Sequence, residues 1–344
     1  MKNFITLIDY ILDILKKDQN IINAIYYLWK RNNWMLDIRY LTSYFTKIPI
    51  DSPIFLLGNQ GDGLTLISRI IRRNPKIISV SGNSNYWAGA DEMVSVYEPI
   101  LGAEFSGLLI DPAYHQDFPP PYGWSHASND LIKFYRKTER DFNGLSRKKL
   151  LNAIGMAILH HGKKIKNPRF IDKSQLFSVK LSFINKLLEN YNPYFIHITR
   201  NPFATIYRAA ASGQVEDMKR ASKYLTLEQR FQICSEHWVN VAKCIEVDKK
   251  KVKNFLRIKV EDFLENPKKI TEKLCKFLNL KFDMDMLPQP YHSLPLGVRS
   301  DKKKWYPLEK EINRKYLEKT PLKFIKKIQN KAKLYLDKFG YKAP

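Results

Sequence analysis

Cysteine is scarce in this chain of 344 residues, which contains only Cys234, Cys244 and Cys275. Three widely separated cysteines are too few for a disulfide framework, and a cysteine-based zinc site needs close pairs. The sequence therefore argues against a disulfide-stabilised scaffold and against a zinc finger. A reducing compartment is the simplest expectation.

Long hydrophobic runs are also missing, because no segment approaches the roughly 20 apolar residues of a membrane-spanning helix. The N-terminal apolar stripe has helical spacing but is interrupted by charges such as Asp9, Asp13 and Lys16. We predict that residues 1–50 form a peripheral helical extension packed on the domain, with contact to a membrane surface as the alternative. A cytoplasmic protein is expected.

Acidic residues are outnumbered, with 34 Asp and Glu against 58 Lys and Arg, for a net charge of +24. This excess would attract partners that carry phosphate or sulfate groups. A lysine-rich surface that keeps the protein soluble explains the charge equally well. Charge alone therefore does not choose between a nucleotide, another polyanion and nucleic acid.

The composition is globular, with 44% hydrophobic and 27% charged residues, and the length suits one large domain over residues 51–344. Helical patterns separate five short apolar runs in the sequence. These runs predict strands at residues 54–57, 77–80, 169–171, 194–199 and 255–260. This alternation predicts an α/β fold with a parallel β-sheet flanked by helices.

A glycine-rich loop, Gly58 to Gly63, lies between the first predicted strand and a helical pattern. Backbone N–H groups and the helix N-terminus form an anion site in such a loop, and the Thr65 hydroxyl can add a donor. The next residue is Leu64, whereas ATP- and GTP-hydrolysing enzymes with such a loop have a lysine there. The sequence therefore argues against an enzyme of that class. An ordinary glycine-rich turn is the alternative.

Residues 104–145 are rich in proline, tyrosine, tryptophan and histidine, which is more typical of a loop than of a regular element. Long insertions in compact domains are often binding loops. We therefore expect this segment to bind a substrate, with His115, Trp124 and His126 as candidate substrate-binding residues.

The loop segment 53–69 resembles the 5′-phosphosulfate loop of the sulfotransferase superfamily, whose fold is similar to that of P-loop NTPases. Further segments resemble the family's motifs in the same order: Phe170-Ile-Asp-Lys-Ser174, Phe195-Ile-His-Ile-Thr-Arg-Asn-Pro202, Val260-Glu-Asp-Phe263 with Asn266-Pro267, and Gly297-Val-Arg-Ser-Asp-Lys-Lys-Lys-Trp305. Together they cover residues 53–305. Co-occurrence in order is a stronger signal than any single motif.

The resemblance implies transfer of a sulfonyl group from 3′-phosphoadenosine 5′-phosphosulfate to a hydroxyl or amine, without a metal. It places the nucleotide on the following residues: Gly58, Gly61, Asp62, Gly63, Leu64, Thr65, Arg200, Arg208, Arg299 and Ser300. The acceptor is expected to be a carbohydrate, with a phenol or a peptide tyrosine as alternatives. No nucleic acid is expected.

The same resemblance makes Lys173 the candidate cation that stabilises the transition state. Asp91 and Glu92 are candidates for the base that takes the acceptor's proton. Charged residues favourable to a helix N-terminus are the alternative explanation of that acidic pair. His115 and His126 are the next candidates for the base.

The chain departs from the family's pattern at Gly61, where Arg or Lys is usual, and at Asp62 and Leu64, where Ser and Thr are common. Lys173 or Arg69 would have to replace the missing loop cation, or the protein binds the nucleotide without transferring it. A nucleotide-dependent kinase and a non-catalytic polyanion-binding protein are two further candidate functions.

Overall fold

A computed structural model describes residues 48–83, 91–97, 101–102, 104–105, 125–211, 222, 225–292 and 307–344. The predicted N-terminal extension, up to residue 47, lies outside these ranges. So do most of residues 84–124, including His115 and Trp124, and the segment that contains Arg299 and Ser300.

Five parallel strands form one sheet in the order β2-β3-β1-β4-β5. They are β1 (Ile54–Leu57), β2 (Ile77–Ile78), β3 (Arg169–Asp172), β4 (Tyr194–Thr199) and β5 (Asn254–Lys259). All five predicted strands are present, and the bounds of β1 and β4 are as predicted. Burial of β1 on both faces explains why its sequence is an unbroken apolar run.

Helices connect and cover these strands. They are α1 (Leu64–Arg72), α2 (Met93–Val96), α3 (Ile132–Tyr135), α4 (Gly144–His161), α5 (Leu181–Leu187), α6 (Pro202–Ala211), α7 (Leu227–Asp248), α8 (Val260–Glu265), α9 (Pro267–Leu278), α10 (Ile312–Leu317) and α11 (Leu322–Phe339). Asn266 caps α9, since its side chain accepts a hydrogen bond from Lys269 N and Pro267 occupies the first helical turn.

Two hydrophobic clusters lie on opposite faces of the sheet, because alternate side chains of a strand point to opposite sides. Phe55 and Leu57 belong to the cluster shared with α4, α5 and α7. Ile54 and Leu56 belong to the cluster shared with α1, α8 and α9. The structure is thus the predicted α/β fold, a parallel sheet with helices on both faces.

Residues 104–145 are the segment predicted to bind the acceptor, and the end of this segment is more helical than its composition suggested. It contains α3, and Thr138 caps a 3-10 turn at Glu139–Asp141 through a reciprocal pair of hydrogen bonds. Local capping thus orders residues that sequence composition assigned to a loop. Within the described parts of the chain, no helix has the length and apolar composition needed to cross a bilayer.

Candidate functional site

The chemically important side chains gather at the carboxyl edge of the sheet. The glycine loop follows β1, Lys173 follows β3, and Arg200 follows β4. Since β1 pairs with β3 on one side and β4 on the other, these three segments are neighbours. Ligands of open parallel sheets bind outside the carboxyl ends of the strands, so this edge is the candidate site.

The glycine loop has a backbone that other residues adopt poorly. Gly61 and Gly63 have φ angles of 90° and 87°, in the left-handed region. A Cβ atom on Gly63 would also lie 2.7 Å from Val260 Cγ2, at the start of α8. Glycine at position 63 therefore allows both the turn into α1 and the close approach of α8.

The first half of the loop is tied into the protein. The N–H of Gly58 donates to Ser178 Oγ at 2.9 Å, and the hydroxyl of Ser178 donates back to Gly58 O at 3.1 Å. The N–H of Asn59 donates to Asp62 Oδ2 at 2.9 Å, and the N–H of Asp62 donates to Asn59 O at 3.1 Å. Gly58 and Asp62 therefore shape the loop and have their N–H groups engaged.

Four other N–H groups, two in the loop and two in the first turn of α1, are open. In the described part of the chain, no hydrogen-bond partner accepts from the N–H groups of Gly61, Gly63, Leu64 and Thr65. The start of a helix attracts anions because its first N–H groups point outward and the helix dipole is positive there. The anion-binding capacity of the loop is thus concentrated at the beginning of α1.

Asp62, one of the departures from the family's pattern, is 1% exposed. Burial raises the pKa of its carboxyl from the ordinary value of 3.8 to about 7, although hydrogen bonds from Asn59 oppose this change. Its Oδ2 atom accepts from both nitrogens of Asn59, while Oδ1 has no hydrogen-bond partner in the part of the chain that the structure describes. Near neutral pH a large fraction of this group is protonated, so it adds less than a full negative charge to the loop.

Arg200 is 6% exposed and reaches from the end of β4 toward the loop. Its Nη1 donates to Gly61 O at 2.9 Å and its Nε donates to Asn313 Oδ1 at 2.6 Å, while among the described residues its buried Nη2 has no hydrogen-bond partner. Burial, and then the positive charge of Arg208, lower the pKa of Arg200. Two cations thus lie close together around an unused donor, which favours an anionic ligand.

Lys173, Asp91 and Glu92 form one cluster, as their candidate roles require. The Nζ of Lys173 lies 3.0 Å from Asp91 Oδ1 and 2.9 Å from Glu92 Oε1. Asp91 is fully buried and also pairs with Arg72 at 2.9 Å, whereas the side chain of Glu92 is 19% exposed. Of the two carboxylates, Glu92 is thus the more accessible to an acceptor.

The segment that carries these acids is attached to the end of β3. Asp172 Oδ1 accepts from Met93 N at 2.7 Å, and Ser174 Oγ accepts from Val94 N at 3.2 Å. Arg72, which sequence reasoning missed, binds Asp91 from α1. Its position in the last turn of a helix resembles that of any surface arginine, so no local signal identifies this contact.

A pocket borders the glycine loop between α6 and α7. Its lining residues are Asn59, Gln60, Thr205, Ile206, Ala209, Cys234, His237 and Trp238. His126, the candidate acceptor-binding histidine that the structure describes, is 1% exposed and packs edge-on against His237 with ring centroids 4.7 Å apart. His126 is thus one residue layer behind the pocket wall.

The remaining predicted nucleotide residues divide into two groups. Arg208 lies on α6 and its guanidinium is 4.3 Å from the ring centre of Tyr316. Arg299 and Ser300 lie outside the described residues, as do the acceptor candidates His115 and Trp124.

Comparison with known proteins identifies the family and the fold. The model of the sulfotransferase family matches residues 53–284. The sulfotransferase domain from the curacin biosynthetic pathway is similar in structure, with a TM-score of 0.51, 14% identity, and coverage of 86% of this chain and 100% of that domain. A search of curated protein sequences finds no match.

Two mycobacterial sulfotransferases are also similar in structure, each with a TM-score of 0.51 and 12% identity. The match to the one from Mycobacterium avium covers 88% of this chain and 81% of that chain. The match to the one from Mycobacterium tuberculosis H37Rv covers 88% and 86%. At these identities the structural similarity establishes the fold.

Proposed function

The chain belongs to the sulfotransferase family, and on that premise we propose that it transfers a sulfonyl group from 3′-phosphoadenosine 5′-phosphosulfate to a hydroxyl or amine of an acceptor. One observation carries this proposal. The open N–H groups at the start of α1 and the unpartnered Nη2 of buried Arg200 lie at the same edge of the sheet. Together they supply donors for two separate anionic groups of one nucleotide.

The residues present suit such a donor. The first turn of α1 would bind the 5′-phosphosulfate, because it offers several N–H groups and a positive dipole end. Arg200, with Arg208 nearby, would bind the 3′-phosphate, because a guanidinium can bind phosphate oxygens through two N–H groups. Arg299 and Ser300 are proposed to complete this end of the site.

In the proposed reaction, the acceptor oxygen or nitrogen attacks the sulfur, and the bond between sulfur and the bridging phosphate oxygen breaks. The acceptor's proton passes to the carboxylate of Glu92, and 3′-phosphoadenosine 5′-phosphate leaves. Lys173 stabilises the negative charge that develops on the sulfonyl and bridging oxygens. Its position supports this role, because Lys173 is buried and follows β3, the strand that pairs with β1 and its glycine loop, and a charge acts more strongly away from water.

For the acceptor we propose a carbohydrate, on the strength of the aromatic and basic residues in segment 104–145. We place the protein in the cytoplasm, since Cys234, Cys244 and Cys275 are all free and buried. A binding protein that no longer transfers is the second candidate. It is favoured by Gly61, which has no side-chain cation and open space beside it.

The test combines binding with transfer. Calorimetric titration with 3′-phosphoadenosine 5′-phosphate should reveal one site, and donor labelled with radioactive sulfur should label members of a panel of sugars, phenols and tyrosine peptides. Nucleotide binding without transfer to any acceptor would favour the binding protein. Absence of binding at millimolar nucleotide would contradict the assignment of the donor.

A further inference from the structure

Helix α10 contacts both arginines proposed for the 3′-phosphate, although it lies beyond the region that the family model matches. Asn313 Oδ1 accepts from Nε of Arg200 at 2.6 Å. Three residues later, the ring of Tyr316 lies 4.3 Å from the guanidinium of Arg208. Residues three apart share one face of a helix, so a single face of α10 contacts the two cations.

Asn313 is itself held by a partly buried network of hydrogen bonds. Its Nδ2 donates to Glu261 Oε1, which also accepts from Asn201 N at 2.8 Å. Glu261 Oε2 lies 3.2 Å from the hydroxyl of Tyr341, and that hydroxyl is 3.1 Å from Thr199 Oγ1. The network therefore connects the end of β4, the start of α8 and the C-terminal segment of the chain.

The chemistry of these contacts leaves the charge of Arg200 available. Both of its hydrogen-bond acceptors, Asn313 Oδ1 and Gly61 O, are neutral, and in the described residues it forms no salt bridge. A carboxylate in place of Asn313 would neutralise the guanidinium before a ligand arrived. A neutral amide instead fixes its orientation and leaves Nη2 and the positive charge for an anion.

We propose that α10 is a positioning element for the 3′ end of the nucleotide, with Asn313 orienting Arg200 and Tyr316 holding Arg208 by a cation–π contact. Neither residue needs to touch the ligand. This inference rests on the proposed function, because it assumes a 3′-phosphate at Arg200. It predicts that discrimination between nucleotides with and without that phosphate depends on α10.

The test compares calorimetric affinities for 3′-phosphoadenosine 5′-phosphate and for adenosine 5′-phosphate. In Asn313→Ala, we expect affinity for the first ligand to fall about tenfold, the size of one hydrogen bond to a charged group, with no change for the second. Tyr316→Leu should also lower the affinity for the first ligand, whereas Tyr316→Phe, which keeps an aromatic ring, should bind it as tightly as the unmodified protein. Lys315→Ala, an exposed site on the same helix, is the matched control.

The outcomes separate the two proposals. If the unmodified protein does not bind 3′-phosphoadenosine 5′-phosphate, the proposed function fails. If it binds and Asn313→Ala weakens both nucleotides equally, α10 acts only as a structural support and the inference fails. Melting temperatures identify any unfolded variant, and if Asn313→Ala is unfolded, the comparison of Tyr316→Leu with Tyr316→Phe decides the question.

Discussion

The Nη1 atom of Arg200 lies 2.9 Å from the carbonyl oxygen of Gly61. This hydrogen bond joins the end of β4 to the loop that follows β1, so the two regions proposed for the two ends of the nucleotide are in direct contact. The hydrogen bond uses only Nη1, so Nη2 of Arg200 is left for a ligand.

Arg200→Ala should abolish the rise in melting temperature that 3′-phosphoadenosine 5′-phosphate causes in the unmodified protein. The physical reason is loss of both the donor at Nη2 and the bond that holds Gly61. Ligand stabilisation follows the ratio of ligand concentration to Kd, so weaker binding gives a smaller shift. Thermal denaturation at millimolar ligand measures this, with Arg314→Ala, an exposed arginine, as the control. A full shift in Arg200→Ala would contradict the assignment.

Lys173→Met should lower kcat by about 100-fold or more while changing the Kd for 3′-phosphoadenosine 5′-phosphate by less than about threefold. The expectation follows from a cation that acts on charge developing in the transition state. Lys186→Met is the control, because the side chain of Lys186 is 44% exposed and pairs with Glu189 on the surface. Equal losses of kcat and nucleotide affinity would make Lys173 a binding residue only.

Glu92→Gln should remove most of the turnover, by about 100-fold, and leave the fold intact, because the side chain is partly exposed and has one cationic partner. Asp91→Asn should instead cost about 3 kcal/mol of stability, because it removes the charge between two buried cations, Arg72 and Lys173. Steady-state kinetics and denaturant unfolding distinguish the two variants. Full activity in Glu92→Gln would exclude it as the base.

Asp62 should make the protein less stable as pH rises. Its pKa is about 7 in the folded chain and near 3.8 when unfolded, so the folded state holds the proton over that interval. The contribution of Asp62 to stability is then greatest below about pH 4 and is lost as pH rises to about 7. Asp62→Asn should reduce the difference in unfolding free energy between pH 5 and pH 8 by about 3 kcal/mol. An unchanged difference would contradict the shifted pKa.

The sequence by itself predicted the sheet well, because a strand buried on both faces must be apolar throughout and its neighbours must supply turns and helix caps. Residues 54–57 are the example. Residues 194–199 also have the same bounds in the structure, although buried His197 and Thr199 interrupt their apolar pattern. The family resemblance added Lys173, Asp91 and Glu92, and the structure brings these three together. Lys173 follows β3 directly, and the segment of Asp91 and Glu92 is held at the end of the same strand by the hydrogen bond from Met93 N to Asp172.

Only the tertiary structure decided which groups of the glycine loop are open. Whether a backbone group of the loop is engaged depends on partners distant in sequence, as Ser178 is for the N–H of Gly58 and Arg200 is for the carbonyl oxygen of Gly61. The same holds for Asn313 and Tyr316, which belong to none of the motifs found in the sequence, and for the contact between Asn313 and Glu261. Local patterns reflect burial and backbone preference, whereas contacts between distant segments depend on how the chain packs.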